Sequence, residues 1–323
     1  MSKFTYNNIS YTCSENETVL DVLLAHEVAV PSSCRSGLCQ TCMMRAVKGT
    51  PPGAAQKGLK DTLKAQNYFL ACCCHPDEDL ELALPDTQTA RVRATVSSIE
   101  KLSSDIVGVS LQCDQPLDYK SGQFINLFGE NSLARSYSLA SVPAQDQHLT
   151  LHVRKVPDGR MSSWIHHELS SGDSVEISLP VGDCFYTPGN VAQPLLLIGT
   201  GSGLAPLYGI ARDAIAQGHT GPIRLYHGST NVDGLYLDKT LRQLARQHEN
   251  FSYMPCVSDE PVEQQDIASG HVLDVALQEH AKLAGWRVFL CGNPNMVKAA
   301  KKKTFLMGAA MKDIHADAFL PSV

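Results

Sequence analysis

The feature that most constrains the fold of this 323-residue chain is the segment Cys34-Arg-Ser-Gly-Leu-Cys39-Gln-Thr-Cys42. Its cysteines are separated by four and then two residues, which is the plant-type [2Fe–2S] spacing. One tight loop can present three sulfur atoms, and Gly37 lets the backbone approach them closely enough to donate N–H groups. The alternatives are a zinc site and a scatter of buried thiols. Zinc favours paired C-x2-C units, and only one pair stands here in that role. We therefore predict a [2Fe–2S] cluster on Cys34, Cys39 and Cys42.

The cluster needs a fourth thiolate, which lies in Leu70-Ala-Cys-Cys-Cys-His-Pro76. There are 29 residues between Cys42 and Cys72. The stretch resembles the ferredoxin pattern in which the ligand lies four residues before a proline, and this points to Cys72. Cys73 and Cys74 are predicted to be small packing residues.

Composition limits the location and the partners of the chain. The net charge is −6, and the triplet Lys301-Lys-Lys303 is predicted to be a solvated helix face rather than a nucleic-acid site. The first residues lack the layout of a signal peptide, and no apolar run approaches the ~20 residues of a membrane helix. Eleven cysteines without these signals favour a reducing compartment. We expect a cytoplasmic protein with no membrane insertion and no nucleic-acid partner.

Residues 1–86 are predicted to form a small mixed domain. Short strands near residues 4–6 and 9–12 precede a helix that Thr18 caps, with Asp21 completing a capping box. The cysteine loop follows, then strands at 43–47 and 80–84. This order of elements resembles the β-grasp fold of plant-type ferredoxins.

Residues 91–190 contain short β-rich runs separated by turn residues, which is typical of a closed antiparallel barrel. The runs are 91–96, 106–111, 124–128, 149–153 and 174–179. Arg135-Ser-Tyr-Ser-Leu139 combines a fixed cation, a flat aromatic ring and a short hydroxyl. Gly159-Arg-Met-Ser162 precedes a predicted helix at 163–169, and free N–H groups at a helix start can receive a phosphate.

Residues 191–323 alternate apolar strands with helices, which predicts a parallel sheet with helices on both faces and a ligand beyond the C-terminal strand ends. The first strand enters Gly199-Thr-Gly-Ser-Gly-Leu-Ala-Pro206. A strict G-x-G-x-x-G motif fails there, because Leu204 and Pro206 stand where its last glycine is required. Glycines still allow close approach to a diphosphate.

Together these motifs resemble the ferredoxin–NADP reductase superfamily. The resemblance implies FAD on the barrel, with Arg135 neutralising its diphosphate, Tyr137 against the ring and Ser138 near N5. The implied flavin-binding residues are Arg135, Ser136, Tyr137, Ser138, His152, Val153, Gly159, Arg160, Met161 and Ser162. The loop after the first strand and Cys291-Gly-Asn-Pro-Asn-Met296 resemble the superfamily's two pyridine-nucleotide motifs. Their implied contacts are Gly199, Thr200, Gly201, Ser202, Gly203, Pro206, Cys291, Gly292, Asn293 and Met296.

Two departures from the superfamily bear on chemistry. Gly228-Ser229-Thr230 stands where many members carry Gly-x-Arg, so NADH is expected rather than NADPH, unless Arg224 or Arg242 reaches the 2′-phosphate. The chain does not stop at an aromatic residue, and Phe319 is the candidate to cover the flavin. Packing is the alternative for Phe319. The expected catalytic residues are Ser138, Cys291 near the transferred hydride, and Phe319.

The resemblance covers essentially the whole chain and is to ferredoxin-first reductases of multicomponent oxygenases, of the benzoate dioxygenase reductase type. It implies an NADH-dependent reductase that passes single electrons through FAD and the [2Fe–2S] cluster. The implied partner is an aromatic-ring dioxygenase or a diiron monooxygenase. One alternative is the reductase of a deoxysugar dehydrase (CDP-6-deoxyglucoseen reductase type), whose family shows a similar Asp-Ala-Phe-x-Pro-Ser tail. Another is a carrier or redox-sensing subunit without turnover. The domains are expected at 1–86, 91–190 and 191–323.

Overall fold

The computed structural model describes residues 2–14, 16–32, 35–37, 40, 42–85, 91–129, 133–262 and 264–319. Two of the predicted cluster ligands, Cys34 and Cys39, lie outside the described residues, as do residues 320–323 of the tail. The chain divides into two units, Met1–Thr89 and Ala90–Val323.

The first unit is built on a five-stranded mixed sheet. The strands follow the order β2-β1-β5-β3-β4, with β1 and β5 parallel and the remaining pairs antiparallel. This is the β-grasp arrangement that the sequence predicts. The elements are β1 Ser2–Tyr6, β2 Ile9–Cys13, α1 Val19–Ala25, β3 Met43–Lys48, α2 Asp61–Lys64, β4 Tyr68–Leu70 and β5 Leu80–Ala83.

Helix α1 begins at a capping box and covers this sheet. The Thr18 hydroxyl accepts from the Asp21 N–H, and the Asp21 carboxylate accepts from the Thr18 N–H, as predicted. Leu20 and Leu23 are fully buried with Phe69 in one apolar cluster. Such burial, about 1.5–3 kcal/mol for a large apolar side chain, fixes the helix on the sheet.

The N-terminal part of the second unit is a closed antiparallel barrel. Its strands follow the order β10-β7-β6-β11-β8-β9, and a bridge between Leu139 and Leu151 joins the two outer strands. Closure removes both free edges, as the sequence predicts. The elements are β6 Arg91–Lys101, β7 Ile106–Cys113, β8 Phe124–Phe128, β9 Ala134–Ser138, β10 Leu149–Arg154, α3 Arg160–His167 and β11 Ser174–Ser178.

The rest of the second unit is a parallel sheet in the order β15-β14-β13-β12-β16-β17. Strands β13 to β15 lie on one side of β12, and β16 and β17 lie on the other. Such a switch point opens a crevice beyond the C-terminal ends of the strands. The elements are β12 Leu195–Thr200, α4 Leu204–Ala216, β13 Ile223–Ser229, α5 Asp238–Gln247, β14 Phe251–Val257, β15 Ala268–Ser269, α6 Val272–Gln278, β16 Arg287–Gly292, α7 Pro294–Leu306 and β17 Ile314–Ala318.

Alternate residues of β12 enter different cores, which confirms helices on both faces. Leu195 and Leu197 pack with residues of α4 and α5. Leu196 and Ile198 pack with residues of α6 and α7. Strand β12 is therefore buried on both sides, as its apolar run requires. Among the helices that the described residues form, none is long and apolar enough to span a bilayer.

Some elements differ from the sequence predictions, among them α3 and β17. Helix α3 begins at Arg160 rather than at 163, because Gly159 is its N-cap and the Ser162 hydroxyl ties the first turn to Val156. Strand β17 was not predicted. Its sequence, IHADA, alternates only weakly, and it forms by pairing with β16.

Candidate active site

One cleft of about 1340 Å³ lies in the second unit and is lined by the barrel, the ends of the parallel strands and the tail. It exceeds the 300–1,000 Å³ of ordinary small-molecule sites, so it has room for more than one ligand. Most of the second-unit residues predicted from the sequence line it. They are Arg135, Ser136, Tyr137, Ser138, His152, Gly159, Arg160, Met161, Ser162, Thr200, Gly201, Ser202, Gly292, Asn293, Met296 and Phe319.

The remaining predicted residues do not line the cleft. They are Val153, Gly199, Gly203, Pro206 and Cys291. Val153 belongs to the barrel core, and its carbonyl bonds to His166 Nε2 at 3.0 Å. A side chain at Gly203 would overlap the carbonyl of Cys291. Contact of these residues with a ligand stays a prediction.

The barrel wall carries a cradle for an anion, which we call the barrel cradle: Arg135 together with Gly159–Ser162. Gly159 caps α3, so the first N–H groups of the helix have no partner within it. A side chain at Gly159 would come within 2.6 Å of the Ser162 hydroxyl. Neither Arg135 nor Arg160 forms an ion pair with a carboxylate that the structure describes. Two cations and a helix start fit a diphosphate.

The facing wall carries the nucleotide loop, residues 199–203. Strand β12 ends at Thr200, a 3-10 turn covers Gly201–Gly203, and α4 begins at Leu204. Gly201 has φ +53°, a left-handed value that suits glycine. The loop therefore brings backbone and the start of a 13-residue helix to the cleft. This arrangement also fits a diphosphate. The guanidinium beside Gly201, that of Arg154, is already paired with Asp105.

Ser138 meets a residue that the sequence reasoning did not select, Asp317. The Ser138 hydroxyl donates to Asp317 Oδ2 at 2.9 Å, and both residues line the cleft. Burial raises the pKa of the Asp317 carboxyl, while the Ser138 hydrogen bond opposes the rise. Strand β17 places Asp317 beside Cys291 of β16. Asp317 was not selected because strand β17, which follows α7 and pairs with β16 next to β12, was not predicted from the sequence.

Phe319 and Cys291 end up on different sides of the cleft wall. The Phe319 N–H donates to the Gly292 carbonyl at 2.9 Å, and its half-buried side chain lines the cleft. The Cys291 thiol is fully buried, with its sulfur 3.8 Å from that of Cys184. Burial raises the Cys291 pKa well above its ordinary value. The position of this thiol near the transferred hydride stays a prediction, and its burial agrees with the alternative of a buried thiol at the end of a strand.

His152 closes the floor of the cleft as a neutral ring. Burial lowers its pKa to about 3. Its Nδ1 lies 3.2 Å from the hydroxyl of Tyr236, another residue that the sequence reasoning did not select. Beside it, Arg154 is paired with Asp105 at 2.7 Å.

The cysteine loop of the first unit is partly described. Arg35, Gly37 and Gln40 all have positive φ, a left-handed backbone conformation, at the described positions of this loop. Cys42 is buried and its thiol is in hydrogen-bonding contact with that of Cys72; burial raises the Cys42 pKa to about 11. Two thiols in contact fit part of the ligand set of a [2Fe–2S] cluster.

The three consecutive cysteines differ in their surroundings. Cys72 and Cys73 are half-buried, with sulfur atoms 3.7 Å apart. Cys74 is fully buried, and burial raises its pKa to about 12, as befits a packing residue. The contact between Cys42 and Cys72 favours Cys72 as the fourth ligand.

Comparison with known families defines the class of protein. Residues 5–77 match the 2Fe-2S iron-sulfur cluster binding domain. Residues 93–186 match the oxidoreductase FAD-binding domain, and residues 197–302 match the oxidoreductase NAD-binding domain. The chain is thus an oxidoreductase with domains for a [2Fe–2S] cluster, FAD and NAD.

Curated relatives narrow the class. The chain is 32% identical to the ferredoxin–NAD(P)+ reductase component of the naphthalene 1,2-dioxygenase system of Pseudomonas putida, over 98% of this chain and 97% of that protein. It is 33% identical to the reductase subunit of an aromatic O-demethylase of Amycolatopsis sp., over 96% of each. The crystal structure of an Amycolatopsis cytochrome P450 reductase superposes with a TM-score of 0.70, at 32% identity and 99% coverage of both chains. The chain belongs to the family of iron–sulfur flavoprotein reductases that are the reductase components of oxygenase systems.

Proposed function

We propose that this protein takes a hydride from NADH onto FAD and passes electrons singly through its [2Fe–2S] cluster to an oxygenase component or a ferredoxin that serves one. The observation that carries the proposal is that the barrel cradle, the nucleotide loop, Ser138 and Phe319 all line one cleft. Two diphosphate sites in one cleft suit two dinucleotides that meet at their reactive rings.

The residues at the meeting point have distinct tasks in this proposal. Flavin, when bound, supplies the conversion between two-electron and one-electron transfer. Arg135 and the start of α3 hold its diphosphate, and Tyr137 and Phe319 supply apolar surface for its ring. Across 2.9 Å, Ser138 Oγ and Asp317 Oδ2 can hold or exchange a proton at the cleft wall. The raised pKa of Asp317 suits this role.

NADH is proposed as the donor. Arg242 is paired with Asp238 and Asp266, whereas Arg224 donates to the neutral Ser252 hydroxyl and keeps its charge. Neither lines the cleft, whereas Asp259 does and would repel a 2′-phosphate. The cleft's one lysine, Lys303, is paired with Asp274 at 2.8 Å.

The domain assignment proposed is 1–86 for the cluster, 91–190 for FAD and 191–323 for NADH. The extents of the three matched family models support it. Relatives named for dioxygenase, monooxygenase and O-demethylase systems support an oxygenase partner. The deoxysugar alternative rested on a tail that lies partly outside the described residues. We expect the protein in the cytoplasm, which cell fractionation tests.

Loss of the cluster tests the electron route. A Cys42→Ser variant should keep NADH-driven reduction of ferricyanide, which flavin can perform, and lose reduction of cytochrome c. Cys72→Ser should behave alike, and Cys73→Ser serves as the matched control with cluster absorbance retained. Iron content and visible spectra check each variant.

The outcomes separate the possibilities. Cytochrome c reduction that survives in cluster-free protein would show that electrons leave from the flavin. Loss of the cluster in Cys73→Ser but not in Cys72→Ser would show that the fourth ligand is Cys73 rather than Cys72. Absence of NADH turnover in the wild-type holoprotein would favour the carrier or sensing alternative.

A further inference from the structure

A buried histidine lies directly beneath the nucleotide loop. His227 stands in β13 and is fully buried. Its Nε2 lies 3.2 Å from the carbonyl oxygen of Gly201. The same carbonyl accepts from the Leu204 N–H that closes the 3-10 turn. Both lone pairs of the Gly201 oxygen are therefore engaged on the side facing away from the cleft.

The chemistry of the pair fixes the tautomer of the ring. Burial lowers the pKa of His227 to about 4, so the ring is neutral at physiological pH. A carbonyl only accepts hydrogen bonds, so the ring proton is on Nε2. Nδ1 is then a bare acceptor, and among the described residues it has no partner. Leaving a buried acceptor unmatched costs free energy, which the packing around the ring must offset.

The ring is held in place from the barrel side. His227 meets the ring of Tyr236 edge to face, with centroids 5.6 Å apart. The hydroxyl of Tyr236 lies 3.2 Å from Nδ1 of His152, which forms the cleft floor. This contact chain fixes the direction in which His227 presents its N–H group.

The direction of the Gly201 carbonyl decides where the next amide points. A peptide bond is planar and trans, so the C=O of Gly201 and the N–H of Ser202 point in opposite directions. With the carbonyl held inward by His227, the Ser202 N–H is directed outward. Gly201 and Ser202 both line the cleft. At this place an outward N–H can bind an anion.

We propose that His227 is a positioning residue: by holding the Gly201 carbonyl, it presents the Ser202 N–H to the diphosphate of the bound dinucleotide. The inference rests on the proposed role of the nucleotide loop and adds to it the group that orients the loop. Glycine at 201 has little conformational preference of its own, so the orientation needs an outside constraint.

Two substitutions of similar polarity separate positioning from packing. His227→Gln can place its amide nitrogen where Nε2 lies, whereas His227→Asn is too short to reach the Gly201 carbonyl. Calorimetric titration of the oxidised, FAD-loaded holoprotein with ADP-ribose should give about tenfold weaker binding for His227→Asn. Binding by His227→Gln should stay within about twofold of wild type. Steady-state kinetics should show the KM for NADH raised and kcat little changed in His227→Asn.

Controls keep the outcomes distinct. His280→Leu removes a different imidazole of the same unit, one that is partly buried and lies away from the loop. This variant should leave ADP-ribose affinity unchanged. The flavin absorbance spectrum of each variant reports whether the barrel is intact. Equal affinities for His227→Asn and His227→Gln, whether both normal or both weakened, overturn the positioning role. A wild-type protein that fails to bind ADP-ribose overturns the proposed site instead.

Discussion

The two proposed diphosphate sites of the cleft differ in how they are charged. The barrel cradle has Arg135 and Arg160, which form no ion pair with a described carboxylate, beside the start of α3. The nucleotide loop has a helix start and a neutral histidine beneath it, with Asp259 further along the same wall. Both use backbone N–H groups, but only the first adds free cations.

This difference matches the different tasks of the two ligands. A flavin that stays through many turnovers benefits from charge-assisted hydrogen bonds, which are roughly twice as strong as neutral ones. A nicotinamide nucleotide must leave after each hydride transfer, so a cradle of neutral donors suits it better. We therefore predict that charge controls the retention of flavin at the barrel cradle. At the nucleotide loop, the orientation of the backbone N–H groups should control the affinity for the nicotinamide nucleotide.

The largest effect on activity is expected at the hydrogen bond that joins Ser138 of the barrel to Asp317 of the parallel sheet. Asp317→Asn keeps a group of the same shape beside Ser138 but cannot hold or release a proton at neutral pH. We expect the rate of flavin reduction by NADH to fall about 100-fold, the low end for general acid–base groups. Stopped-flow absorbance at the flavin band measures it. An unchanged rate with normal flavin content would remove Asp317 from the chemistry.

Removing charge from the barrel cradle should have the next largest effect. Arg135→Ala should weaken FAD binding about 30-fold through loss of charge-assisted hydrogen bonds, while ADP-ribose affinity stays normal. Titration of apoprotein with FAD, followed by fluorescence, measures the change. Arg93→Ala, an exposed arginine of β6, is the control. Equal loss in both variants would mean that general charge, not the cradle, retains flavin.

Adding charge to the other wall should change the coenzyme. Thr230→Arg combined with Asp259→Asn places a cation where the 2′-phosphate of NADPH would lie and removes a repulsive carboxylate. We expect kcat/KM for NADPH to rise about tenfold. Asp259→Asn alone serves as the control, with a smaller gain. If the double variant favours NADH as strongly as wild type, the 2′ position lies elsewhere in the cleft.

The smallest effect concerns stability and pH. Burial raises the pKa of Asp317 above its ordinary value of 3.8 in the folded protein. A raised carboxyl pKa contributes stability below the ordinary value, and the contribution is lost as pH rises through the folded value. The free energy of unfolding of wild type, relative to Asp317→Asn, should therefore fall from pH 4 to pH 7. Urea unfolding of both apoproteins measures it, and a constant difference would contradict the raised pKa.

Sequence reasoning predicted the elements whose patterns are strong and local. Capping by Thr18, the short strands of the barrel and the buried run of β12 follow from side-chain periodicity and hydrogen-bonding chemistry. Of the glycine-rich loop after β12, residues 200–202 line the cleft, whereas Gly199 and Gly203 do not. Each of these signals is contained within a few residues, so a single chain is enough to read it.

Contacts between distant segments could not be predicted in that way. Asp317 reaches Ser138 across 179 residues, and only the pairing of β17 with β16 brings it there. The role proposed for His227 depends on its contact with the Gly201 carbonyl, which belongs to a separate segment of the chain. Cys291 was placed by motif, but its side chain points into the core, because successive residues of a strand face opposite sides.

Backbone crowding between Gly203 and the end of β16 sets how far the chain can be varied. In a library of random variants selected for NADH turnover, position 203 should stay glycine, since any methyl group there meets the carbonyl of Cys291. Gly53 has open space around it and should accept alanine freely. The glycine positions that tolerate no substitution would then identify close backbone contacts, and this readout does not depend on charge or on a bound ligand.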